Sequence, residues 1–231
     1  YRATKNEKDT TRARANTLRE FLTNSDKVNK FDHKELKEVF DLCLSCKACA
    51  SECPSNVDIA TMKAEFLYQY QETNGYSFRN SLFANNAKYN RLGSKLPRIT
   101  NFFTNSLLMK KVLGVAVERS VPKLANETLE SWFKKHQPKV SKKAVYLFKD
   151  EFTNFYDAEI GKDAVILLEK LGYEVKNIAH DESGRSHISK GFLKEAKKIC
   201  NNNIAIFKDI ITDEIPLIGI EPSAILTFRD E

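Results

Sequence analysis

The sequence predicts a multidomain α+β protein, with a helical domain over residues 1–137 and a small α/β domain with a parallel sheet over residues 144–231. Apolar residues recur at helical spacing in the first part, whereas short apolar runs alternate with amphipathic stretches after residue 143. Between the two parts, residues 134–143 are short, polar and basic, and Pro138 lies among them. This composition is typical of a domain linker.

The composition indicates a folded protein with a solvated surface. The chain has 231 residues, of which 42% are hydrophobic and 29% charged, and its net charge is +6. Because Lys and Arg are interleaved with acids along the chain, a solvated surface is favoured and no nucleic-acid partner is expected. No apolar run reaches the about 18 residues of a membrane span, and the first residues lack the apolar core of a signal peptide. Since there is no initiator Met and the last residues resemble a helix start, we expect both ends to continue in a longer protein.

Three helices are predicted around a cysteine-rich loop in the helical domain. The expected capping residues are Asp9 or Thr10 for the first helix, Asp32 with Glu35 for the second, and Ser55 with Asp58 for the third. The third helix carries the stripe Ile59, Met62, Phe66 and Tyr70 and ends near Gly75. Residues 76–133 are expected to be helical as well, with breaks at glycine and proline.

Strands and helices alternate in the second domain. Strand-type runs occupy residues 144–148, 173–178 and 216–220, and amphipathic helical patterns separate them. This order implies right-handed crossovers and a parallel sheet.

Four of the five cysteines form a compact motif. Cys43, Cys46, Cys49 and Cys53 have the spacing C-x2-C-x2-C-x3-C-P, which is typical of the thiolate ligands of a 4Fe-4S cluster. In two-cluster ferredoxins the fourth cysteine, here Cys53, binds the other cluster, so an intact set of ligands is not expected within this chain. The motif predicts a helical ferredoxin-like domain in a reducing, cytoplasmic compartment. A structural zinc site is the alternative, although zinc usually takes two separated pairs of ligands.

Several stretches around these motifs resemble the C-terminal iron-sulfur portion of FAD-linked 2-hydroxy acid oxidases and dehydrogenases of the glycolate oxidase and D-lactate dehydrogenase type. The stretches are residues 1–22, 41–67, 145–175, 188–198 and 219–231. The resemblance implies that an upstream domain with FAD oxidises the substrate and that 4Fe-4S clusters pass the electrons to a quinone or another acceptor. It implies no catalytic residue in this chain. It leaves open a peripheral contact with the cytoplasmic side of a membrane.

The second domain resembles the cysteine-rich domain shared with heterodisulfide reductase, but its cysteines are replaced. Glu151, Glu182 with Ser183, and Ala224 stand at the cysteine positions, and these side chains should not bind a soft iron-sulfur centre. The polar residues of these loops are expected to form either a pocket or docking face, or a hydrogen-bonded scaffold that preserves the loops. They are Glu151, Thr153, Asn154, Glu182, Arg185, Ser189, Lys190 and Glu221. We expect His180 and His187 to be surface residues, and Cys200 to be a buried apolar one.

Arg12 and Arg14 are candidate cofactor-binding residues on the first helix. A guanidinium group beside an anionic cluster favours its reduction, although an exposed helical face is the alternative. Two other functions remain open. One is an iron-sulfur subunit related to anaerobic glycerol-3-phosphate dehydrogenase or heterodisulfide reductase, and the other is a non-redox interaction module that holds zinc.

Overall fold

A computed structural model describes residues 3–230 and divides them into two compact units. The first unit comprises the residues up to Ala84 together with His187–Leu193, and the second comprises Asn85–Ser186 and the residues from Lys194 onward. Helices and one three-stranded parallel sheet confirm the predicted α+β class. Tyr1, Arg2 and Glu231, which belong to the stretches 1–22 and 219–231, lie outside the described residues.

The first unit is helical, and its core lies directly beneath the cysteine loop. Its helices are α1 (Thr11–Asn24), α2 (Lys34–Asp41), α3 (Ala48–Glu52), α4 (Ile59–Asn74) and α5 (Phe78–Ala84). Leu36 and Phe40 of α2 and Phe66 of α4 are fully buried, and the Phe40 and Phe66 rings stack with centroids 5.3 Å apart. Cys43 and Cys49 pack against this cluster. The aromatic core therefore supports the loop that carries the motif.

The helix starts around the loop differ in part from the predicted ones. Thr10 caps α1 as expected, but the prediction of capping boxes at the starts of α2 and α4 is wrong. The Asp32 carboxylate accepts hydrogen bonds from Asn74 and Lys27 instead, which leaves α2 without a side-chain cap. Asp58 alone caps α4, through two backbone N–H groups of its first turn.

Residues 187–193 belong to the first unit because they pack on α4. Gln71 Nε2 donates a hydrogen bond to the Lys190 carbonyl at 2.8 Å. Gly191 has φ +74°, and a Cβ atom there would lie 2.7 Å from Leu67 Cβ. Only glycine fits this close approach without displacing the helix.

The second unit surrounds a parallel sheet in the order β2-β1-β3. The strands are β1 (Lys143–Phe148), β2 (Tyr173–Lys176) and β3 (Leu217–Gly219), within or beside the three predicted runs. The helices are α6 (Asn86–Gly93), α7 (Pro97–Thr104), α8 (Leu107–Leu113), α9 (Leu129–Phe133), α10 (Glu151–Phe155), α11 (Ala158–Lys170), α12 (Arg185–Ser189), α13 (Leu193–Phe207), α14 (Pro222–Ile225) and α15 (Thr227–Asp230). Helix α12 crosses the division between the units. Within residues 3–230, none of the helices combines the length and apolar character that a membrane crossing requires.

The predicted linker is tied to the sheet unit. Leu129 and Phe133 of α9 are buried in the same cluster as Val145 and Leu147 of β1. His136 follows α9 and forms a 2.8 Å hydrogen bond with Glu169 of α11. The division between the units thus falls at residue 84, whereas residues 134–143 lie inside the second unit. The assignment of residues 1–137 and 144–231 to two separate domains stays a prediction.

Candidate functional site

The cysteine loop runs from the end of α2 to the start of α4 and turns sharply between its ligands. Ser45 and Lys47 adopt left-handed backbone conformations, with φ +54° and +58°. These turns bring Cys43, Cys46 and Cys49 to the wall of one cavity of about 410 Å³. All three thiols are free of disulfides. Three free thiols therefore line one cavity.

Backbone N–H groups donate to two of the cysteine sulfurs. The Ile59 N–H group, at the start of α4, donates a hydrogen bond to Cys49 Sγ at 3.3 Å. Cys53 is not among the residues that line the cavity. Its thiol instead accepts from the backbone N–H groups of Val57 and Ser55, which hold the pKa of Cys53 below its usual range. The fourth cysteine therefore has other surroundings than the three that line the cavity.

One of the two predicted arginines lines this cavity. Arg14 is buried, and its Nε donates a hydrogen bond to the Val39 carbonyl at 3.2 Å. Arg12 is exposed and forms an ion pair with Glu7 instead. The sequence analysis missed Lys63, whose ammonium group donates to the Cys43 carbonyl. Its position one turn after Ile59 on α4 could have identified it.

The residues around this cavity fit a 4Fe-4S cluster in part. Such a cluster takes convergent thiolates, N–H donors to sulfur and nearby positive charge. The N–H donor to Cys49 and the charge of Arg14 are present, and three cysteines line the same cavity. Among residues 3–230, no three His, Cys, Asp or Glu side chains are placed so that they could hold a metal ion. Cys200, the fifth cysteine, lies in the second unit on α13, where it is half-buried. Cross-ligation of two clusters, as predicted from the sequence, would need a fourth thiolate besides Cys43, Cys46 and Cys49.

The second unit contains a polar cavity of about 780 Å³. Three of the predicted pocket residues, Glu151, Asn154 and Glu182, line it. They come from the segments that follow β1 and β2, so the expectation that such loops meet at one edge of the sheet holds for these three. Lys149 and His180 line the same cavity, and the sequence analysis did not include them in the pocket.

The two glutamates predicted to stand at cysteine positions of the resembling domain are chemically distinct. Glu151 is buried, and its carboxylate accepts hydrogen bonds from Ser183 N at 3.0 Å and from Ser183 Oγ at 2.8 Å. Burial raises the pKa of Glu151 above its usual range. Burial, followed by the charge of Glu151, raises the pKa of Glu182 to about 7. The segments after β1 and β2 are therefore joined by hydrogen bonds at positions where the resembling domain has thiolates.

His180 is held in one neutral form. Its Nε2 accepts from the Lys149 backbone N–H group at 3.0 Å, so Nδ1 carries the proton that faces the Asp181 carbonyl at 2.6 Å. The ring stacks on Phe148, and burial lowers the pKa of His180 to about 4. The expectation that both histidines are surface residues is wrong, because His180 is half-buried and His187 is buried in the first unit. The position of His180 just beyond a strand could have indicated this.

The other predicted pocket residues have different surroundings within the described part of the chain. Thr153 is buried and donates to Asp150 Oδ2 at 2.7 Å, and the Glu221 carboxylate caps α14. The Arg185 backbone donates to Ser183 Oγ. Ser189 and Lys190 belong to the first unit, where the Lys190 ammonium lies 5.5 Å from the centre of the Phe83 ring. The structure thus gathers three of the eight predicted residues around one cavity.

Comparison with known proteins places the cysteine motif in a described family. Residues 1–58 match the family described as "4Fe-4S dicluster domain". The chain is 30% identical to D-2-hydroxyglutarate dehydrogenase of Escherichia coli over 87% of its own length and 21% of that protein. It is 30% identical to the Haemophilus influenzae protein of the same name over 94% of its length and 22% of that protein. The chain therefore spans about a fifth of the length of these relatives.

A second group of relatives is more distant. One subunit of the anaerobic glycerol-3-phosphate dehydrogenase of Escherichia coli is 25% identical over 77% of this chain and 47% of that polypeptide. No solved structure matches the chain significantly. The matches confirm the predicted iron-sulfur clusters and the predicted resemblance to FAD-linked dehydrogenases. Residues 1–58 thus match a 4Fe-4S dicluster domain, and the chain as a whole is similar to about a fifth of proteins named D-2-hydroxyglutarate dehydrogenase.

Proposed function

We propose that this chain is the electron-transfer region of an FAD-linked 2-hydroxy acid dehydrogenase. Three cysteines around one cavity, with a backbone N–H donor on Cys49, support the proposal most directly. In it, Cys43, Cys46 and Cys49 bind one 4Fe-4S cluster, and Cys53 belongs to the ligand set of a second cluster. The remaining thiolates come from the rest of the full-length protein.

The clusters, when bound, supply one-electron transfer between the flavin and an acceptor. The residues of this chain hold and tune them. The buried guanidinium of Arg14 and the ammonium of Lys63 place positive charge beside the cysteine loop, which favours the reduced form of an anionic cluster. The acceptor is a quinone or another one-electron carrier, and the reaction takes place on the cytoplasmic side, where thiols stay reduced.

The substrate is a 2-hydroxy acid, whose oxidation takes place on the flavin domain. Relatives named D-2-hydroxyglutarate dehydrogenase favour a dicarboxylic substrate over glycolate or D-lactate. A direct comparison of kcat/KM for the three acids, with the full-length protein, would rank them. A preference for glycolate or D-lactate would support the assignment drawn from the sequence.

The ligand assignment can be tested with one variant and a matched control. In anaerobically purified full-length protein, Cys46→Ser should remove one 4Fe-4S cluster, whereas Cys200→Ser should leave the iron and acid-labile sulfide content unchanged. Substrate should still bleach the flavin in Cys46→Ser, but electrons should no longer reach an artificial one-electron acceptor. Cys53→Ser should alter a different signal in the EPR spectrum of the dithionite-reduced protein.

The same preparation separates the alternatives. If Cys46→Ser keeps its full iron content, the cluster assignment is wrong. If the wild-type protein contains zinc and no sulfide, the chain is an interaction module instead. A flavin domain on a separate polypeptide would favour an iron-sulfur subunit like the glycerol-3-phosphate dehydrogenase relative.

A further inference from the structure

The second unit carries a row of exposed apolar side chains on α7, on α8 and just before them, which we call the apolar face. Its members are Leu96 (62% exposed), Ile99 (53%), Phe102 (75%), Phe103 (58%), Leu107 (66%) and Leu108 (74%). Ile99, Phe102 and Phe103 follow the i, i+3, i+4 spacing, so they share one side of α7. Six side chains at this exposure amount to several hundred square ångströms, comparable with the largest patch of a typical monomer at about 300–600 Å². Patches of this size usually mark an interaction surface.

The stretch of chain that carries the apolar face is basic. Residues 85–117 contain six Lys or Arg and no Asp or Glu, whereas the whole chain has a net charge of +6. The six are Lys88, Arg91, Lys95, Arg98, Lys110 and Lys111. The interleaving of charges inferred for the chain as a whole therefore does not hold in this stretch. Arg91 and Lys95 line the polar cavity that Glu127 and Glu182 also line, whereas the other four cations are not among its lining residues. A partner that complements these four must be anionic.

We propose that the apolar face docks on an anionic phospholipid surface. A bilayer presents negative headgroups above an apolar interior, and a short helix in its plane binds through aromatic and aliphatic residues flanked by Lys and Arg. Helix α8 has this composition, because Leu107 and Leu108 lie beside Lys110 and Lys111 within two turns. On α7, Phe102 and Phe103 provide the apolar side chains and Arg98 the cation. A protein partner would instead favour a polar rim with both signs of charge.

The proposed contact is peripheral. The two helices are eight and seven residues long, so they can lie in the headgroup region but cannot cross the bilayer. The proposal goes beyond electron transfer and does not depend on it. Loss of the clusters and loss of lipid binding are therefore separate outcomes, because each is measured on its own.

Co-sedimentation of the full-length protein with lipid vesicles tests the proposal. We expect binding to vesicles of equal parts phosphatidylcholine and phosphatidylglycerol at low salt, and much weaker binding to phosphatidylcholine alone or at high salt. The double variant Phe102→Glu/Phe103→Glu should weaken binding by about a hundredfold or more. Its control is Leu167→Glu/Leu171→Glu, a pair of similarly exposed apolar residues, at 57% and 64%, at the end of α11, and this variant should bind as the wild type does.

The charge contribution has its own variant. Lys110→Gln/Lys111→Gln should weaken binding to the anionic vesicles by about tenfold or more, at about 1 kcal/mol for each lysine. The control Lys139→Gln/Lys142→Gln should not. Iron and sulfide content should be the same in all four variants, and equal melting temperatures would show that they are folded.

Three results would overturn the proposal. The first is a wild-type protein that does not bind anionic vesicles, as expected if another part of the polypeptide or a second copy covers the apolar face. The second is binding that survives both the phenylalanine and the lysine variants. The third is binding that the control variants weaken equally.

Discussion

Glu182 provides a quantitative test of the cavity in the second unit. Burial and the neighbouring Glu151 raise the pKa of Glu182 from an ordinary value of 4.5 to about 7. The folded state therefore binds a proton more tightly than the unfolded state, so this group makes the protein less stable as pH rises from 4.5 to 7. The whole penalty is present above pH 7. The shift corresponds to about 3 kcal/mol, and partial solvent screening reduces it to roughly 2 kcal/mol.

The substitution Glu182→Gln removes the charge and should remove this penalty. At pH 8 we expect the variant to be more stable by about 2 kcal/mol, which raises the melting temperature of a chain this size by about 4–8 °C. At pH 4.5, where wild-type Glu182 is protonated in the folded state, the two melting temperatures should nearly coincide. Glu195→Gln, on the exposed side of α13, is the matched control and should change little at either pH. An equal gain at both pH values would refute the reasoning, because the cause could not then be ionisation.

Two further predictions concern the segments that position the sites. Gly75→Ala, with φ +81° and open space around the added Cβ, should lose about 1–2 kcal/mol of stability to backbone strain alone, or about 2–8 °C in melting temperature for a chain of this size. Gly191→Ala should lower the melting temperature further, because φ is +74° there as well and the added Cβ also lies 2.7 Å from Leu67 Cβ. Equal losses would contradict the close approach. Asp150→Ala should cost about 2 kcal/mol in a urea titration, because the buried carboxylate caps α10 through two backbone N–H groups, and Asp150→Asn, which keeps an acceptor, should cost less.

The sequence was most informative where local chemistry determines the structure. The three predicted strand runs form the parallel strands 143–148, 173–176 and 217–219, and α11 lies between the first two in the chain. The predicted capping boxes failed because capping by Asp32 competes with tertiary partners. Asn74, which is 42 residues away, binds this carboxylate in place of the helix start. A contact between residues so distant in sequence leaves no signal in the local pattern.

The candidate sites show the same limit. The spacing of the cysteines predicted their grouping, because the loop between Cys43 and Cys49 is short and its turns are local. The pocket prediction assumed that all loops after the strands meet. Lys190 departs from it because Gly191 and Gln71 hold that segment in the first unit. In the sequence, Gln71 is one polar residue of a helical pattern. Nothing in that pattern indicates that its buried amide binds the Lys190 carbonyl.

The glutamates predicted to stand at cysteine positions of the resembling domain have a structural role. A thiolate set joins loops through a shared metal, and its loss would leave two loop ends with unpaired polar groups in a buried place. Glu151 supplies two acceptors that bind both the amide and the hydroxyl of Ser183, so one side chain joins the segments after β1 and β2. This cross-link needs no metal. It keeps the cavity lined by Asn154 and Glu182 in place, although the raised pKa of Glu182 shows that it does so at a cost above neutral pH.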